Sequence, residues 1–300
     1  MSIKVENVTK LYGEQKALND ISFEIKKGEI IGFLGPNGAG KSTMMKIITC
    51  FIPQTSGTVE VCGINVSEDP LLIKSKIGYL PEHNPLYLEM YVKEYLLYCA
   101  NIHLVPNPKQ RVEEMIQLTG LQVEQHKIIK QLSKGYRQRV GIAQAMIHDP
   151  EVLILDEPTT GLDPNQLEEI RGLIQNIGKS KTVMLSTHIM QEVEAICDRA
   201  IIINKGQIIA NEQISELRKG KQAQKVIVGF AKKINIDSIK SSLGLQTIKE
   251  IGKNQYEITV QNKPKINEDI FQWAVQNDNS ITELKQKEIS IESIFRTLTN

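Results

Sequence analysis

The chain has 300 residues, of which 41% are hydrophobic and 24% are charged, and its formal net charge is +1. This composition is that of an ordinary globular protein, and the balanced charge gives no electrostatic reason to expect nucleic acid as a partner. No stretch approaches the roughly 18 apolar residues of a membrane-spanning helix, and residues 1–9 lack the apolar core of a signal peptide. We therefore expect a cytoplasmic chain. Its four scattered cysteines favour neither a zinc site nor a disulfide framework.

The segment up to residue 66 is predicted to be mostly strand. Apolar and polar residues alternate in Ile3–Val8 and Ile21–Ile25, as they do in half-buried strands. A short apolar run, Glu29–Leu34, suits a buried strand, and Lys41–Phe51 is predicted as a helix. Thr58–Cys62 is a further β-rich run. The buried strand, the glycine-rich turn and the helix form one strand–loop–helix unit.

Residues 82–149 are predicted to form an inserted helical subdomain. Apolar residues recur at helical spacing in Tyr91–His103, Pro108–Thr119 and Ser133–Ile147, and the loops between them hold prolines and polar residues.

An α/β pattern returns after residue 149. Apolar runs predict strands at Val152–Leu155, Thr182–Ser186 and Ala200–Asn204. Asp163 and Pro164 are a favourable N-cap and first-turn pair for a helix through residue 177. Alternation of strands with helices predicts an α/β fold with a parallel, doubly wound sheet.

The chain beyond a polar break at residues 219–221 is predicted to be a small α+β module. Trp273 and Phe271 are expected in its core. The sequence thus predicts two domains, 1–219 and 220–300. The predicted elements of the second are strand Lys225–Phe230, helix Ile236–Leu243, strand Tyr256–Gln261, helix Asn267–Gln276, strand Ser280–Lys285 and helix Ser290–Thr299.

A glycine-rich segment between the predicted strand and helix fits the phosphate-loop pattern G-x-x-x-x-G-K-[ST]. Glycines let the backbone approach phosphate oxygens, and amide groups at a helix N-terminus donate to them. The lysine supplies a cation for the β- and γ-phosphates, and the hydroxyl can ligate Mg²⁺. The predicted nucleotide-binding residues here are Gly35, Pro36, Asn37, Gly38, Ala39, Gly40, Lys41, Ser42 and the following Thr43.

Two acids, Asp156 and Glu157, follow an apolar strand directly. Asp156 is predicted to hold Mg²⁺ through water, as the acid of this strand does in phosphate-loop enzymes. Glu157 is predicted to be the general base for the water that attacks the γ-phosphoryl group. The alternative is that the two acids only cap a helix.

These motifs, in this order, resemble an ABC-type ATPase cassette over residues 1 to about 219. Residues 132–136, Leu-Ser-Lys-Gly-Tyr, resemble the family signature Leu-Ser-Gly-Gly-Gln; Ser133 and Gly135 match, whereas Lys134 and Tyr136 depart. The resemblance implies that the Ser133 hydroxyl and the Gly135 N–H face a γ-phosphate from a helix N-terminus. Ser133 is also suited to be an N-cap.

Further positions carry the same resemblance. Asp163, in Gly-Leu-Asp, resembles the D-loop, which communicates between subunits; His188 resembles the switch histidine, and Tyr12 the aromatic that stacks on adenine. Glu82 stands where the family commonly has a glutamine that touches Mg²⁺ and the attacking water. A glutamate can still ligate Mg²⁺, although it adds negative charge near the phosphates. We therefore predict Glu157, His188 and Glu82 as catalytic, and Ser42, Asp156 and Glu82 as metal ligands.

The resemblance implies a P-loop NTPase that binds ATP and Mg²⁺ between two chains packed head to tail. The chain would pair with itself or a similar subunit, and ATP would stabilise the closed dimer. The helical subdomain would transmit closure to an integral membrane permease, which places the chain on the inner face of the cell membrane.

Several longer strings, among them residues 77–87 and 291–298, resemble the bacterial gliding-motility type of ATP-binding subunit and related multidrug exporters. Export or gliding motility is thus the expected process. The alternative is a soluble ABC ATPase that acts on ribosomes or DNA, for which a basic stretch at residues 127–139 is the sequence feature. Such proteins usually carry two cassettes or a long coiled-coil insertion.

Overall fold

The computed structural model describes residues 1–219, 223–261, 263 and 265–287. The chain divides into two compact units, Met1–Ile214 and Ser215–Asn300. The division falls at the start of helix Ile214–Lys219, whereas the sequence analysis drew it after that helix. Residues 220 and 221 of the predicted break at 219–221, and the predicted final helix, lie outside the described residues. Among the described residues, no helix is long and apolar enough to cross a membrane.

The first unit alternates strands with helices. In chain order, its elements are β1 (Ile3–Tyr12), β2 (Gln15–Ile25), β3 (Ile30–Leu34), α1 (Lys41–Ile48), β4 (Ser56–Val61), β5 (Ile64–Asn65), α2 (Pro70–Lys76), β6 (Ile77–Leu80), α3 (Val92–Ile102), α4 (Pro108–Thr119), α5 (Lys134–Met146), β7 (Val152–Asp156), α6 (Pro164–Gly178), β8 (Thr182–Thr187), α7 (Met190–Ile196), β9 (Arg199–Asn204) and β10 (Gln207–Gln213).

Within residues 1–214, which the structure describes without a gap, the central sheet has the strand order β10-β9-β3-β8-β7-β6. Strands β9, β3, β8, β7 and β6 are parallel, whereas β10 pairs antiparallel with β9. All residues of β3, β7 and β8 are buried, as expected for strands covered on both faces. The predicted doubly wound parallel sheet is confirmed for these five strands.

A second sheet in this unit was not separated by the sequence analysis. Strands β2, β1, β4 and β5 form an antiparallel sheet in that order. Its inward residues, such as Val5 and Val59, join Phe33, Met44 and Ile154 in one apolar core. Alternation in the sequence indicates half-buried strands but not their pairing partners, so the pattern predicted the strands without assigning them to a separate sheet.

The helical subdomain contains α3, α4 and α5 close to their predicted bounds. Helix α2 was missed, although Asp69 caps it by accepting a hydrogen bond from the Leu72 N–H and Pro70 is its first residue. This Asp-Pro signal is the same one that predicted α6, whose cap Asp163 accepts from the Gln166 N–H at 2.9 Å.

The second unit contains a four-stranded antiparallel sheet in its described part, with strand order β12-β13-β11-β14. Trp273 packs edge-on against Phe230, as predicted for a core residue. Phe271, however, is 59% exposed, and that prediction was wrong: residues two apart on a helix face different sides. The elements are β11 (Ala223–Phe230), α9 (Ile236–Leu243), β12 (Thr247–Gly252), β13 (Gln255–Gln261), α10 (Ile266–Gln276) and β14 (Ile281–Lys287), which follow helix α8 (Ile214–Lys219).

Candidate functional site

The glycine-rich loop between β3 and α1 is held in a shape that a larger residue would not permit. A side chain at Gly35 would run into the backbone oxygen of Ile203 in β9. Gly40, the N-cap of α1, has φ +110°, a conformation that glycine adopts freely. The loop therefore packs against the sheet and presents the N-terminus of α1 to an open cavity.

Lys41 is the buried cation at the base of this loop, with only 6% of its surface exposed. Its Nζ donates to the carbonyl oxygens of Gly35 at 2.7 Å and Pro36 at 3.3 Å, and it lies 3.8 Å from Glu157 Oε1. Burial lowers the pKa of the Lys41 ammonium, and the carboxylates of Glu157, Asp156 and Glu82 oppose that shift. The cation thus depends on nearby oxygens, which a bound phosphate could supplement.

The two acids at the end of β7 are fixed by the neighbouring strand β8. Asp156 is 3% exposed and accepts a short hydrogen bond from the Ser186 hydroxyl. The Glu157 N–H donates to the Ser186 backbone oxygen at 3.2 Å and to its hydroxyl oxygen at 3.1 Å. Glu157 has φ +52°, which is uncommon for a residue with a side chain. This geometry turns consecutive carboxylates in different directions.

The Glu157 carboxylate is held on several sides. The Thr160 hydroxyl donates to its Oε2 at 2.9 Å, and His188 Nδ1 lies 3.0 Å from both oxygens. Glu157 is 8% exposed, whereas 44% of the His188 side chain is exposed. The arrangement joins a buried carboxylate to an accessible imidazole, and a carboxylate so placed can accept a proton from a water in the cavity.

These groups line one cavity of about 800 Å³, which we call the phosphate cavity. The cavity brings together most of the predicted residues of this region. Gly35, Pro36, Ala39 and Asp156 are not on its lining. The predicted residues on its lining are Tyr12, Asn37, Gly38, Gly40, Lys41, Ser42, Thr43, Glu82, Glu157 and His188.

Six further lining residues were missed by the sequence analysis: Gln15, Lys16, Ala17, Thr160, Lys205 and Gly206. Gly206 is held there by long-range backbone hydrogen bonds. The Gly206 N–H donates to Ala39 O at 3.0 Å, and the Asn19 N–H donates to Gly206 O at 2.8 Å. No motif in the sequence marks these positions.

The oxygen donors around the cavity fit a Mg²⁺ ion. Ser42 and Glu82 line the cavity, and the buried Asp156 directly precedes the lining residue Glu157, so the set combines a hydroxyl with carboxylates. The negative charge of these carboxylates also acts on Tyr79: burial, followed by the carboxylates of Asp156 and Glu82, raises the pKa of Tyr79 to about 12. A divalent cation would offset this concentration of negative charge.

Ser133, Gly135 and Asp163 do not lie on the cavity in the continuous described stretch 1–219. The Ser133 Oγ caps α5 by accepting from the Tyr136 N–H at 3.4 Å, which confirms the predicted N-cap. Gln166 of α6 also donates to this oxygen, from Nε2 at 3.3 Å. We call the group Ser133, Lys134, Gly135 and Gln166 the signature surface.

Comparison with known proteins places these motifs in a family. Residues 18–160 match the family model described as ABC transporter. The bacitracin transport ATP-binding protein BcrA of Bacillus licheniformis is 38% identical over 219 residues, 72% of this chain and 71% of that protein. The linearmycin resistance ATP-binding protein LnrL of Bacillus subtilis is 30% identical over 304 residues, 99% of this chain and 98% of that protein. A dimeric post-hydrolysis state of the ATP-binding cassette MJ0796 bound to ADP and Pi has a TM-score of 0.65 at 29% identity. It covers 71% of this chain and 98% of that one.

Proposed function

We infer that this chain, which belongs to the ABC transporter family of ATP-binding subunits, binds and hydrolyses ATP to drive a separate membrane permease. The observation that carries this proposal is the phosphate cavity, where Lys41, Glu157 and His188 converge at the N-terminus of α1. Buried charge around a helix N-terminus suits an anionic substrate and its hydrolysis.

In the proposed mechanism, the amides of Gly38 to Thr43 and the Lys41 ammonium hold the phosphates, and Tyr12 supports the adenine ring at the edge of the cavity. Glu157 accepts the proton of the attacking water, and His188 holds the Glu157 carboxylate and donates toward the γ-phosphate. Mg²⁺, held by Ser42 and through water by Asp156, would neutralise phosphate charge, with Glu82 as a further oxygen ligand.

We propose that the active unit is a head-to-tail dimer. Ser133 and Gly135 lie off the cavity of their own chain, so a second copy or a similar subunit would bring them to the γ-phosphate. The dimeric state of the similar cassette MJ0796, bound to ADP and Pi, supports a dimer by analogy. Asp163 lies at the start of α6, next to the signature surface, and would contact the partner.

Export is the process that we propose for the permease. The two relatives described above act in bacitracin transport and linearmycin resistance, which favours removal of an antibiotic-like compound from the membrane. Gliding motility, which the longer strings resemble, remains a prediction. The chain would then be peripheral on the inner face of the membrane.

The second unit is proposed to be an accessory domain, with the cassette at residues 1–219 and its helical subdomain at about 82–149. All the residues assigned to ATP lie in the first unit. The likeness to LnrL extends over 99% of this chain, which supports an accessory module that the two proteins share.

The soluble alternative rested on the basic stretch at residues 127–139, and the contacts there weaken it. Lys127 pairs with Glu124 at 2.9 Å, and Lys130 pairs with Glu89 at 2.6 Å. Arg139 pairs with Glu169 as well. Because neighbouring acids compensate these three cations, the stretch offers a weaker field for nucleic acid than its sequence indicates.

Recovery of the partner tests the proposed function. We would express tagged Glu157→Gln protein in its native cell, solubilise the membranes gently with ATP, and identify what co-purifies. An integral membrane protein in stoichiometric amount is expected. Recovery of ribosomes or of soluble proteins alone would contradict the transport proposal and leave the ATPase chemistry intact.

A further inference from the structure

The Ser133 hydroxyl on the signature surface has both of its acceptor positions engaged within its own chain. The Tyr136 N–H donates to Oγ at 3.4 Å, and Gln166 Nε2 donates to it at 3.3 Å. A hydroxyl oxygen has two lone pairs and one hydrogen. With both lone pairs engaged, the hydrogen is the part of the Ser133 hydroxyl that is left to meet a ligand.

Gln166 is itself fixed by its neighbours. Its backbone N–H donates to the Asp163 side chain at 2.9 Å, in the first turn of α6. Its side chain lies against Gly135, where a Cβ would stand 2.7 Å from Gln166 Cδ. The glycine of the signature is therefore what lets the amide reach Ser133, and the amide ties the signature to the start of α6.

A second contact joins the same two segments. The Lys134 ammonium lies over Gly161, so that a side chain at 161 would collide with it. Lys134 stands where the family commonly has glycine, and it is an exposed residue that directly follows Ser133 in the chain. A hydroxyl restricted to donating, next to a cation, matches a phosphoryl oxygen rather than a cationic or donor ligand.

We propose that Gln166 is a positioning residue that holds Ser133 as a hydrogen-bond donor toward the γ-phosphate of ATP bound by the partner chain. This inference rests on the proposed function. The amide N–H of Gln166 keeps the serine oxygen engaged, so the hydroxyl proton points out of the surface before ATP arrives. Such preorganisation removes the cost of turning the hydroxyl when the dimer closes.

The test is a double-mutant cycle with Gln166→Glu and Ser133→Ala. Gln166→Glu keeps the side-chain shape but replaces the donor by an acceptor that draws the serine proton inward. Asn165→Asp is the matched control, because it adds the same charge at an exposed neighbouring position of α6. Readouts are ATP turnover at saturating ATP, the ATP-dependent dimer fraction by light scattering, and the affinity for ADP by calorimetry.

We expect Gln166→Glu to lower turnover about tenfold and to reduce dimer formation, while ADP affinity stays unchanged because ADP lacks the γ-phosphate. Asn165→Asp should behave like the wild type. In the Ser133→Ala background, Gln166→Glu should change turnover less than about twofold, because the two residues act as one unit.

Two results would overturn the inference alone: Gln166→Glu matching the control, or retaining its full effect without the serine. If Ser133→Ala itself left turnover and dimerisation unchanged, the two-chain site of the proposed function would fail, and this inference with it. A change in ADP affinity would also count against it, because Gln166 would then act on the phosphate cavity of its own chain.

Discussion

The phosphate cavity and the signature surface differ in how completely one chain satisfies their polar groups. In the cavity, Lys41 and Glu157 are buried and are held by partners from the loop, β7 and β8. On the signature surface, Ser133 and Lys134 are exposed, and the Ser133 Oγ accepts a hydrogen bond from Gln166 of its own chain; we propose above that its hydrogen faces outward. This difference supports the proposal that one chain builds the phosphate-holding and base-holding half of a site, and offers the other half to a second molecule.

The largest effect is expected from breaking the cavity half at Glu157. Glu157→Gln keeps the hydrogen-bonded shape but removes the proton acceptor, so turnover should fall about 10² to 10⁴-fold. ATP binding should persist, and the variant should accumulate as an ATP-bound dimer. Steady-state phosphate release and light scattering measure both quantities. Rapid steady-state turnover would sink the assignment of Glu157 as the base.

The next largest effect is expected at Ser133, on the signature surface. Ser133→Ala should lower turnover less than Glu157→Gln does, but it should reduce the ATP-dependent dimer fraction. Ser133→Ala removes the outward donor and an N-cap, and one donor to a transition-state oxyanion contributes about 10² to 10³-fold. We expect an ATP-dependent dimer fraction well below that of the wild type with normal ADP affinity. A loss of ADP affinity would show instead that the surface serves its own cavity.

A smaller effect is expected at Glu82, and it tests whether this carboxylate is one of the Mg²⁺ ligands in the cavity. If its carboxylate helps to hold Mg²⁺, Glu82→Gln should raise the Mg²⁺ concentration for half-maximal turnover about tenfold. Glu68→Gln, which removes the same charge from an exposed position, is the control. A Mg²⁺ titration of turnover measures the shift. An unchanged titration curve would remove Glu82 from the metal ligands.

The smallest functional effect is expected at His148, which belongs to neither region. His148 stacks on His103 with ring centroids 4.2 Å apart, and its Nε2 lies 3.0 Å from Ile77 O. Burial, followed by the charges of His103 and Arg111, lowers its pKa from 6.5 to about 4, while Ile77 and Asp149 act in the opposite sense. As the pH falls below 6.5, the unfolded state binds a proton at His148 before the folded state does. The stability that the neutral His148 contributes is therefore present above pH 6.5 and is lost as the pH falls toward 4.

Between about pH 7.5 and about pH 5, this group should cost the wild type about 2 kcal/mol of unfolding free energy. His148→Gln should lack that part of the pH dependence, and its turnover at neutral pH should stay near that of the wild type. Denaturant titrations at the two pH values measure the difference. The same pH slope in both proteins would contradict the shifted pKa.

Local signals predicted much of the fold and the cavity half of the site. The phosphate loop, the acids after β7 and the caps Ser133 and Asp163 depend on residues near each other in sequence, so spacing and capping rules apply to them. Helices α3, α4 and α5 were predicted for the same reason. Helix α2 was missed although its Asp69-Pro70 pair is the same helix-start signal as Asp163-Pro164 of α6, because no functional motif lies near it.

The features that the sequence did not predict depend on contacts between residues that are far apart in the chain. Lys205 and Gly206 reach the cavity because the turn between β9 and β10 bonds to Ala39 and Asn19. The antiparallel sheet of β2, β1, β4 and β5 depends on a pairing that alternation does not encode. The contact of Gln166 with Ser133 also spans two helices far apart in sequence. In each case the deciding contact is tertiary.

The central claim, a site divided between two chains, is tested most directly by complementation in the Glu157→Gln background. Lys41→Ala damages the cavity half, and Ser133→Ala damages the signature half. Each variant alone should retain little ATP after rapid gel filtration. A mixture of the two should retain ATP, because each heterodimer joins one intact cavity to one intact signature surface. Retention by the mixture no greater than by the separate variants would contradict the divided site.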